Sequence, residues 1–168
     1  TPAPALRIID GQNALGAAVT LQATKAAMEA ARGAGIGAAF CRGSSHLGAL
    51  APHLYLAAQA GFAAIITTNT APMIAPAGGR DAVIGNAPFG LAVPDANGTP
   101  VILDIALSVA ARSKIRQAAE ADLAIPETWA TDANGHPTTD AKAAMGGLMQ
   151  AIGGAKGANL ALCLDLLA

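Results

Sequence analysis

Between Leu6 and Thr68 the chain alternates short apolar runs of strand length with longer stretches whose apolar residues recur at helical spacing, and this alternation admits few architectures. Leu6 to Ile9 is apolar and stops at Asp10-Gly11, a turn signal. Ala17 to Arg32 carries helical spacing and is halted by Gly33 and Gly35. Ile36 to Cys41 reads as a buried strand, Arg42 to Ser45 as a polar loop, and Leu47 to Ala60 as a helix closed by Gly61. Phe62 to Thr68 is the next strand.

From Asn69 to Gly90 the pattern changes. Pro72, Pro76, Gly78, Gly79, Gly85 and Pro88 are too dense for a helix. Met73, Ile74, Val83, Ile84 and Phe89 are too apolar for a disordered tract, so an ordered loop is expected, of the kind that carries function. Phe89 to Val93 and Val101 to Ile105 read as strands joined in a hairpin through Asp95, Asn97 and Gly98. Ser108 is placed to cap a helix running to Ala121. Pro126 to Asp140 is a second loop with Asn134-Gly135 at its tip, and a short helix over Ala141 to Met149 follows. Gly157 to Ala168 reads as an apolar helix that stops without a cap or charged tail, the look of a piece cut from a longer chain. The expectation is one α/β domain over all 168 residues, with a mixed sheet covered by helices.

Composition narrows the function. A net charge of -1 and a pI near 6.2, with one Trp, one Tyr and three Phe, offer neither a basic field nor stacking platforms for nucleic acid. Charged residues are only 12% of the chain, so part of its surface is expected to be covered. The positive mean hydropathy is mostly alanine, and runs such as Phe62 to Ile66 are too short to span a bilayer. No export signal marks Thr1 to Asp10, and the cytoplasm is the expected compartment. Cys41 and Cys163 lie in apolar segments and read as small buried hydrophobes. His46, His53 and His136 are scattered without the spacing of a metal site, and no metal is expected.

Several short motifs bear on chemistry. Gly33-Ala-Gly35-Ile-Gly37-Ala38 matches a dinucleotide fingerprint in letters, yet it follows a helix and leads into a strand, the reverse of what a pyrophosphate needs. It is read as a helix end. Gly153-Gly-Ala-Lys-Gly157 precedes a helix, so free N–H groups and the Lys156 ammonium can converge on a phosphate there; a plain helix-entry turn is the other reading. Gly157 and Ala158 stand where a Walker loop needs its Lys-Ser/Thr pair. Ser44-Ser45-His46 lies at a strand-to-helix junction, where His46 can titrate, ligate or donate, or where a serine simply caps a helix beside a solvated His. Asp104, at the end of an apolar strand, can accept a ribose diol or cap a helix.

Taken together, Arg42-Gly-Ser-Ser-His46-Leu-Gly-Ala49, Ala75-Pro-Ala-Gly-Gly79, Ile84-Gly-Asn-Ala-Pro88, Leu103-Asp-Ile-Ala-Leu-Ser108, Ile125-Pro, Asp132-Ala-Asn-Gly-His-Pro-Thr138 and Gly153-Gly-Ala-Lys-Gly157 occur in the order seen in one family. Over essentially its whole length the chain resembles the malate/L-lactate dehydrogenase family, which also contains ureidoglycolate, sulfolactate and diketogulonate dehydrogenases and piperideine-2-carboxylate reductases. The resemblance implies a three-layer α/β/α fold with a mixed sheet, unrelated to the doubly wound dinucleotide domain, and intertwined homodimers. It also implies hydride transfer between NAD or NADP and a small 2-hydroxy or 2-oxo acid, with cyclic-imine reduction or a non-catalytic binding module as alternatives.

Carried over by motif, Ser45, His46, Leu47, Gly48 and Ala49 would line the cofactor. Asp104, Ile105, Ala106, Leu107 and Ser108 would hold its ribose and nicotinamide side, and Ala155, Lys156 and Gly157 its other end. The family's proton-donating His, in a Ser-His-Gly motif, lies outside these residues, which leaves His46 as the catalytic candidate within them. Two departures stand out: Gly85-Asn86-Ala87-Pro88 replaces the family's Gly-Thr-Asn-Pro, and Ala106-Leu107-Ser108 replaces Ala-Thr-Ser.

Overall fold

The early alternation of apolar runs builds a parallel crossover unit. β1 (Leu6–Ala14) and β2 (Ala38–Ser44) pair in parallel, with Ile8 opposite Phe40, and α1 (Gly16–Ala34) makes the connection between them. The computed structural model describes residues 3–168. Gly35 ends α1 in the left-handed conformation at φ 79°, its N–H donating to the Ala31 carbonyl at 2.8 Å. The glycine-rich run from Gly33 is therefore a helix end, as expected.

Both strands outrun the sequence reading. Asp10-Gly11 does not turn the chain. It stays in β1, and the surplus residues form a bulge between Asp10 and Ala14, with Gln12 and Asn13 at φ 49° and 59°. Arg42, Gly43 and Ser44, expected in a loop, continue β2, where the Arg42 guanidinium donates to the Asp10 carboxylate at 2.9 Å.

α2 (Ala51–Gln59) starts four residues later than its apolar spacing implies. Gly48 sits at φ 82°, outside helical space, and Pro52 sets the first turn instead. β3 (Ala64–Thr67), β4 (Phe89–Val93) and β5 (Val101–Ile105) form a second sheet in the order β3-β4-β5. The link between β4 and β5 is too short for a crossover, so this pair is the expected antiparallel hairpin. Leu50, Leu54 and Ala58 along α2 pack on Ala92, Ile66 and Ile102 of this sheet. By strand alternation its opposite face carries Ile65, Val93, Val101 and Leu103, all exposed. The α/β class with mixed pairing matches expectation, and the strands fall into two sheets.

The chain divides into two compact units. The first contains residues up to Ile66 together with Gly90–Asp104, and the second contains Thr67–Phe89 and Ile105–Ala168. In the second, the proline- and glycine-dense loop is ordered by an antiparallel bridge between Ile74 and Ile84. Those two residues join Leu107, Ile115, Ile125 and Met149 in one core. α3 (Arg112–Glu120) is not capped by Ser108: Ala111 holds the cap position, and the buried Ser108 hydroxyl donates to the Ala110 carbonyl at 2.9 Å. α4 (Ala141–Met145) is shorter than expected and is capped by Asp140, whose carboxylate accepts from the N–H groups of Lys142 and Ala143. α5 (Ala155–Leu167) begins two residues early, which brings Ala155 and Lys156 into its first turn. Cys41 and Cys163 are exposed rather than buried.

Two outcomes follow for stability. Ile115, 1% exposed, should cost about 2–5 kcal/mol on truncation to Ala. Leu166→Ala, at a side chain 81% exposed, should stay within about 0.5 kcal/mol in urea unfolding of the chain. His53 gives the pH dependence. Burial lowers its pKa from 6.5, so above that pH both folded and unfolded chains hold it neutral. As pH falls through about 6.5 the unfolded chain takes the proton first, and stability drops until the lower folded-state value is passed. His53→Gln should flatten this segment of the urea-midpoint profile; an unchanged slope would rule His53 out as its source.

Candidate functional site

In the first unit, the C-terminal end of β2 leads into a loop, residues 45–49, that closes onto α2. Its first anchor is Ser45, whose hydroxyl oxygen accepts the Gly16 N–H at 3.0 Å and so satisfies the start of α1. The approach is close enough that a Cβ on Gly16 would lie 2.2 Å from the Ser45 carbonyl oxygen. The second anchor is Asp104 on β5. Its Oδ2 accepts the N–H groups of Leu50 at 2.8 Å and Ala51 at 2.9 Å. Leu47 turns inward onto the Leu50–Leu54 cluster. His46, Gly48 and Ala49 face outward, and the His46 imidazole has no hydrogen-bond partner among the described residues.

Asp104 thus behaves as a helix cap, for the helix that precedes it in sequence. Pro52 has no N–H, and those of His53 and Leu54 both reach the Leu50 carbonyl at 3.1 Å. The N-terminus of α2 is therefore fully satisfied and leaves no donor for a phosphate.

The N-terminus of α5, in the second unit, is the opposite case. Gly153 and Gly154 turn the chain at φ 61° and 62°, and the first helical hydrogen bond runs from the Ala158 N–H to Gly154 at 3.0 Å. The N–H groups of Ala155, Lys156 and Gly157 meet no acceptor among the described residues. Gly157 is required where it stands, since a Cβ there would be 1.8 Å from the Ile152 carbonyl oxygen. The start of this helix opens on a cavity of about 300 Å³ whose lining includes Gly154, Ala155, Gln150, Thr131 and the loop from Ile74 to Arg80. Sequence reasoning singled out the Ala75–Gly79 block only by resemblance and gave Arg80 no role. The signal was available: a glycine turn followed by a cation, inside a loop too apolar for disorder.

Ile105, Ala106, Leu107 and Ser108 also belong to the second unit. The Leu107 N–H donates to Asn86 at 2.8 Å, the Ile152 N–H donates to Leu107 at 2.9 Å, and Ser108 bridges to Ala151. This stretch and the entry to α5 are thus laced together. At the departure from the family's Gly-Thr-Asn-Pro pattern, a hydroxyl is supplied from elsewhere. Thr70 Oγ1 accepts the Asn86 backbone N–H at 3.1 Å and donates to Asn86 Oδ1 at 2.9 Å. Ala87 follows, fully buried at φ 37°, a conformation that suits Asn or Gly better than Ala.

Elsewhere, two carboxylates are held below their ordinary range, Asp10 by the Gln12 N–H and Arg42, and Asp132 by the N–H groups of His136 and Asn134. Among the described residues no group of three or more His, Cys, Asp or Glu side chains is gathered for a metal ion, and no helix is long and apolar enough to cross a membrane.

Known proteins resemble this chain in sequence and fold. The family model for malate/L-lactate dehydrogenase matches residues 1–168. A Delta(1)-pyrroline-2-carboxylate reductase from Pseudomonas fluorescens is 43% identical over 140 residues, 83% of this chain and 42% of its own length. A (2R)-3-sulfolactate dehydrogenase (NADP(+)) from Chromohalobacter salexigens is 36% identical over 159 residues, 95% of this chain and 48% of its own. The crystal structure of delta1-piperideine-2-carboxylate reductase from Pseudomonas syringae superposes with a TM-score of 0.93 at 30% identity, covering 100% of this chain and 51% of that one. The chain spans about half the length of the curated relatives it matches.

Proposed function

Because the chain belongs to the malate/L-lactate dehydrogenase family, we propose that it is the cofactor-holding portion of an oxidoreductase that interconverts a small 2-hydroxy acid and its 2-oxo acid with NAD or NADP. The observation that carries this reading is the open N-terminus of α5. Three unpaired N–H groups, the positive end of a thirteen-residue helix and the Lys156 side chain together favour a phosphate oxygen. The cavity beside them gives it room, and Arg80 on its wall adds a second cation. The donor set fits a dinucleotide's phosphates: it is cationic and neutral, with no carboxylate among the residues lining the cavity.

When bound, the nicotinamide ring supplies or accepts the hydride. The chain's own residues bind and orient. Ala155, Lys156 and Gly157 hold a phosphate. Ile105 to Ser108 supply backbone groups fixed by Asn86 and Ile152. In the first unit the outward edge of the loop, with Gly48 and Ala49, presents the His46 imidazole, the candidate for moving a proton. NADP is the form named for the sulfolactate relative.

A second substrate class has its own support. The reductases of five- and six-membered cyclic imine acids match at 43% sequence identity and at a TM-score of 0.93. An iminium carbon beside a carboxylate accepts hydride as a 2-oxo carbon does, so the same scaffold serves either. We also place these residues within a longer polypeptide that acts as a homodimer in the cytoplasm. The exposed Ile8, Phe40, Ile65 and Val101 fit surfaces covered in that assembly, and two exposed, unpaired cysteines fit a reducing compartment.

Fluorescence titration of the folded chain with NADH and NADPH tests the reading. Binding of at least one is expected, and Lys156→Ala should weaken it about ten- to a hundred-fold, the loss of a charged hydrogen bond. A folded chain with no affinity for either dinucleotide would sink the assignment. Full-length enzyme assayed with 2-oxo acids and cyclic imines separates the two substrate classes.

A further inference from the structure

We infer that Asp104 is a positioning residue that holds the 45–49 loop from behind, so that its effect on cofactor binding passes through that loop. The inference rests on the cofactor reading above, in which that loop lines the dinucleotide. Asp104 lies on the same side of β5 as Ile102, two residues away, and Ile102 packs in the cluster under α2. Its side chain is thereby aimed at the start of α2, where Oδ2 takes both the Leu50 and Ala51 N–H groups. Two donors on one oxygen saturate it. Oδ1 keeps its own two acceptor positions, so the two bonds assign Asp104 its hold on the loop and leave contact with a ribose hydroxyl to experiment.

What the two bonds do hold is the end of the loop. Residues 45–49 hang between two tertiary contacts, Gly16 to Ser45 at one end and Asp104 to Leu50 and Ala51 at the other. Between those points Gly48 stands in the left-handed region and Ala49 is exposed, so little else fixes the backbone. Removing the carboxylate frees two N–H groups at a helix start and lets the loop that carries His46 drift. Any effect on cofactor binding then passes through the loop.

The test is a double-substitution cycle between the protein and the cofactor. The reduced dinucleotide that binds the wild-type chain is compared with its analogue lacking both hydroxyls of the nicotinamide ribose, on wild type, Asp104→Ala and Asp104→Asn. Asp104→Ala should weaken both ligands equally, by about ten-fold. Asp104→Asn keeps an acceptor oxygen for the two N–H groups and should restore most of the affinity. Amide hydrogen exchange supplies the readout that a general loss of structure would not give. Exchange should rise in residues 47–51 of Asp104→Ala, while α1 and the β3-β4-β5 sheet keep their protection. A loss that disappears with the analogue overturns the inference and makes Asp104 a ribose ligand. So does unchanged exchange in residues 47–51. If Asp104→Ala fails to fold, the same comparisons on Asp104→Asn decide it: coupling to the missing hydroxyls overturns the inference, and additivity supports it. A wild-type chain that binds neither dinucleotide overturns the cofactor reading itself, a result distinct from either.

Discussion

Helix starts govern this structure, because each exposes N–H groups that must find an acceptor or stay open for a ligand. α1 finds Ser45 across the chain, α4 finds its own Asp140, and α2 finds Asp104 on a neighbouring strand. α3 starts without a side-chain cap, and α5 leaves the N–H groups of Ala155, Lys156 and Gly157 unpaired among the described residues; of the two, α5 does so behind a pair of positive-φ glycines, next to a lysine and at a cavity. Capped helix starts serve to fix loops; the open start at the cavity is where binding free energy is available. The pattern also ranks the candidate residues: Ser45 and Asp104 are engaged within the protein, whereas Lys156 and His46 are free to meet something else.

Much of this was legible in the sequence because it depends on local chemistry. Apolar periodicity located α1, β4 and β5 closely, and Gly35 and Gly61 marked helix ends by a conformation that few residues adopt. The failures are contacts between distant residues. Asp10-Gly11 reads as a turn until β2 is seen alongside, pairing onward through Arg42. Ser108 is a sound cap by sequence, but its hydroxyl is buried and turned to Ala110. Asp104 was read as either ligand or cap, and no local rule could reveal that the helix it caps lies some fifty residues earlier. Resemblance named the candidate segments; it did not distinguish the groups that would touch a ligand from those that hold the loop.

The departures from the family pattern carry a physical cost. At Ala87 the backbone keeps a left-handed conformation that an Asn or Gly would take with less strain, and the buried methyl contributes no polar group. The neighbouring Asn86 is held by Thr70, which both accepts its N–H and donates to its side-chain oxygen. That leaves the Asn86 amide NH₂ and the second lone pair of Oδ1 available beyond the pair.

The exposed apolar residues set a further condition on how these 168 residues exist. Ile8 and Phe40 are paired in register on one face of β1 and β2, at 64% and 45% exposure, and Val101 reaches 70% on β5. In the second unit, Leu160 and Leu167 leave α5 apolar on the sides that face solvent as well as inside. A helix or sheet built this way belongs in an interior. Covering one large aliphatic side chain is worth about 1.5–3 kcal/mol, while a whole domain is stable by about 5–15 kcal/mol. Covering a few of them therefore matters as much as the core that the chain already possesses. The low charge content has the same origin, since a surface meant to be covered has little use for ions. Covering the bare sheet faces is thus expected to stabilise the unit that also holds the loop at residues 45–49.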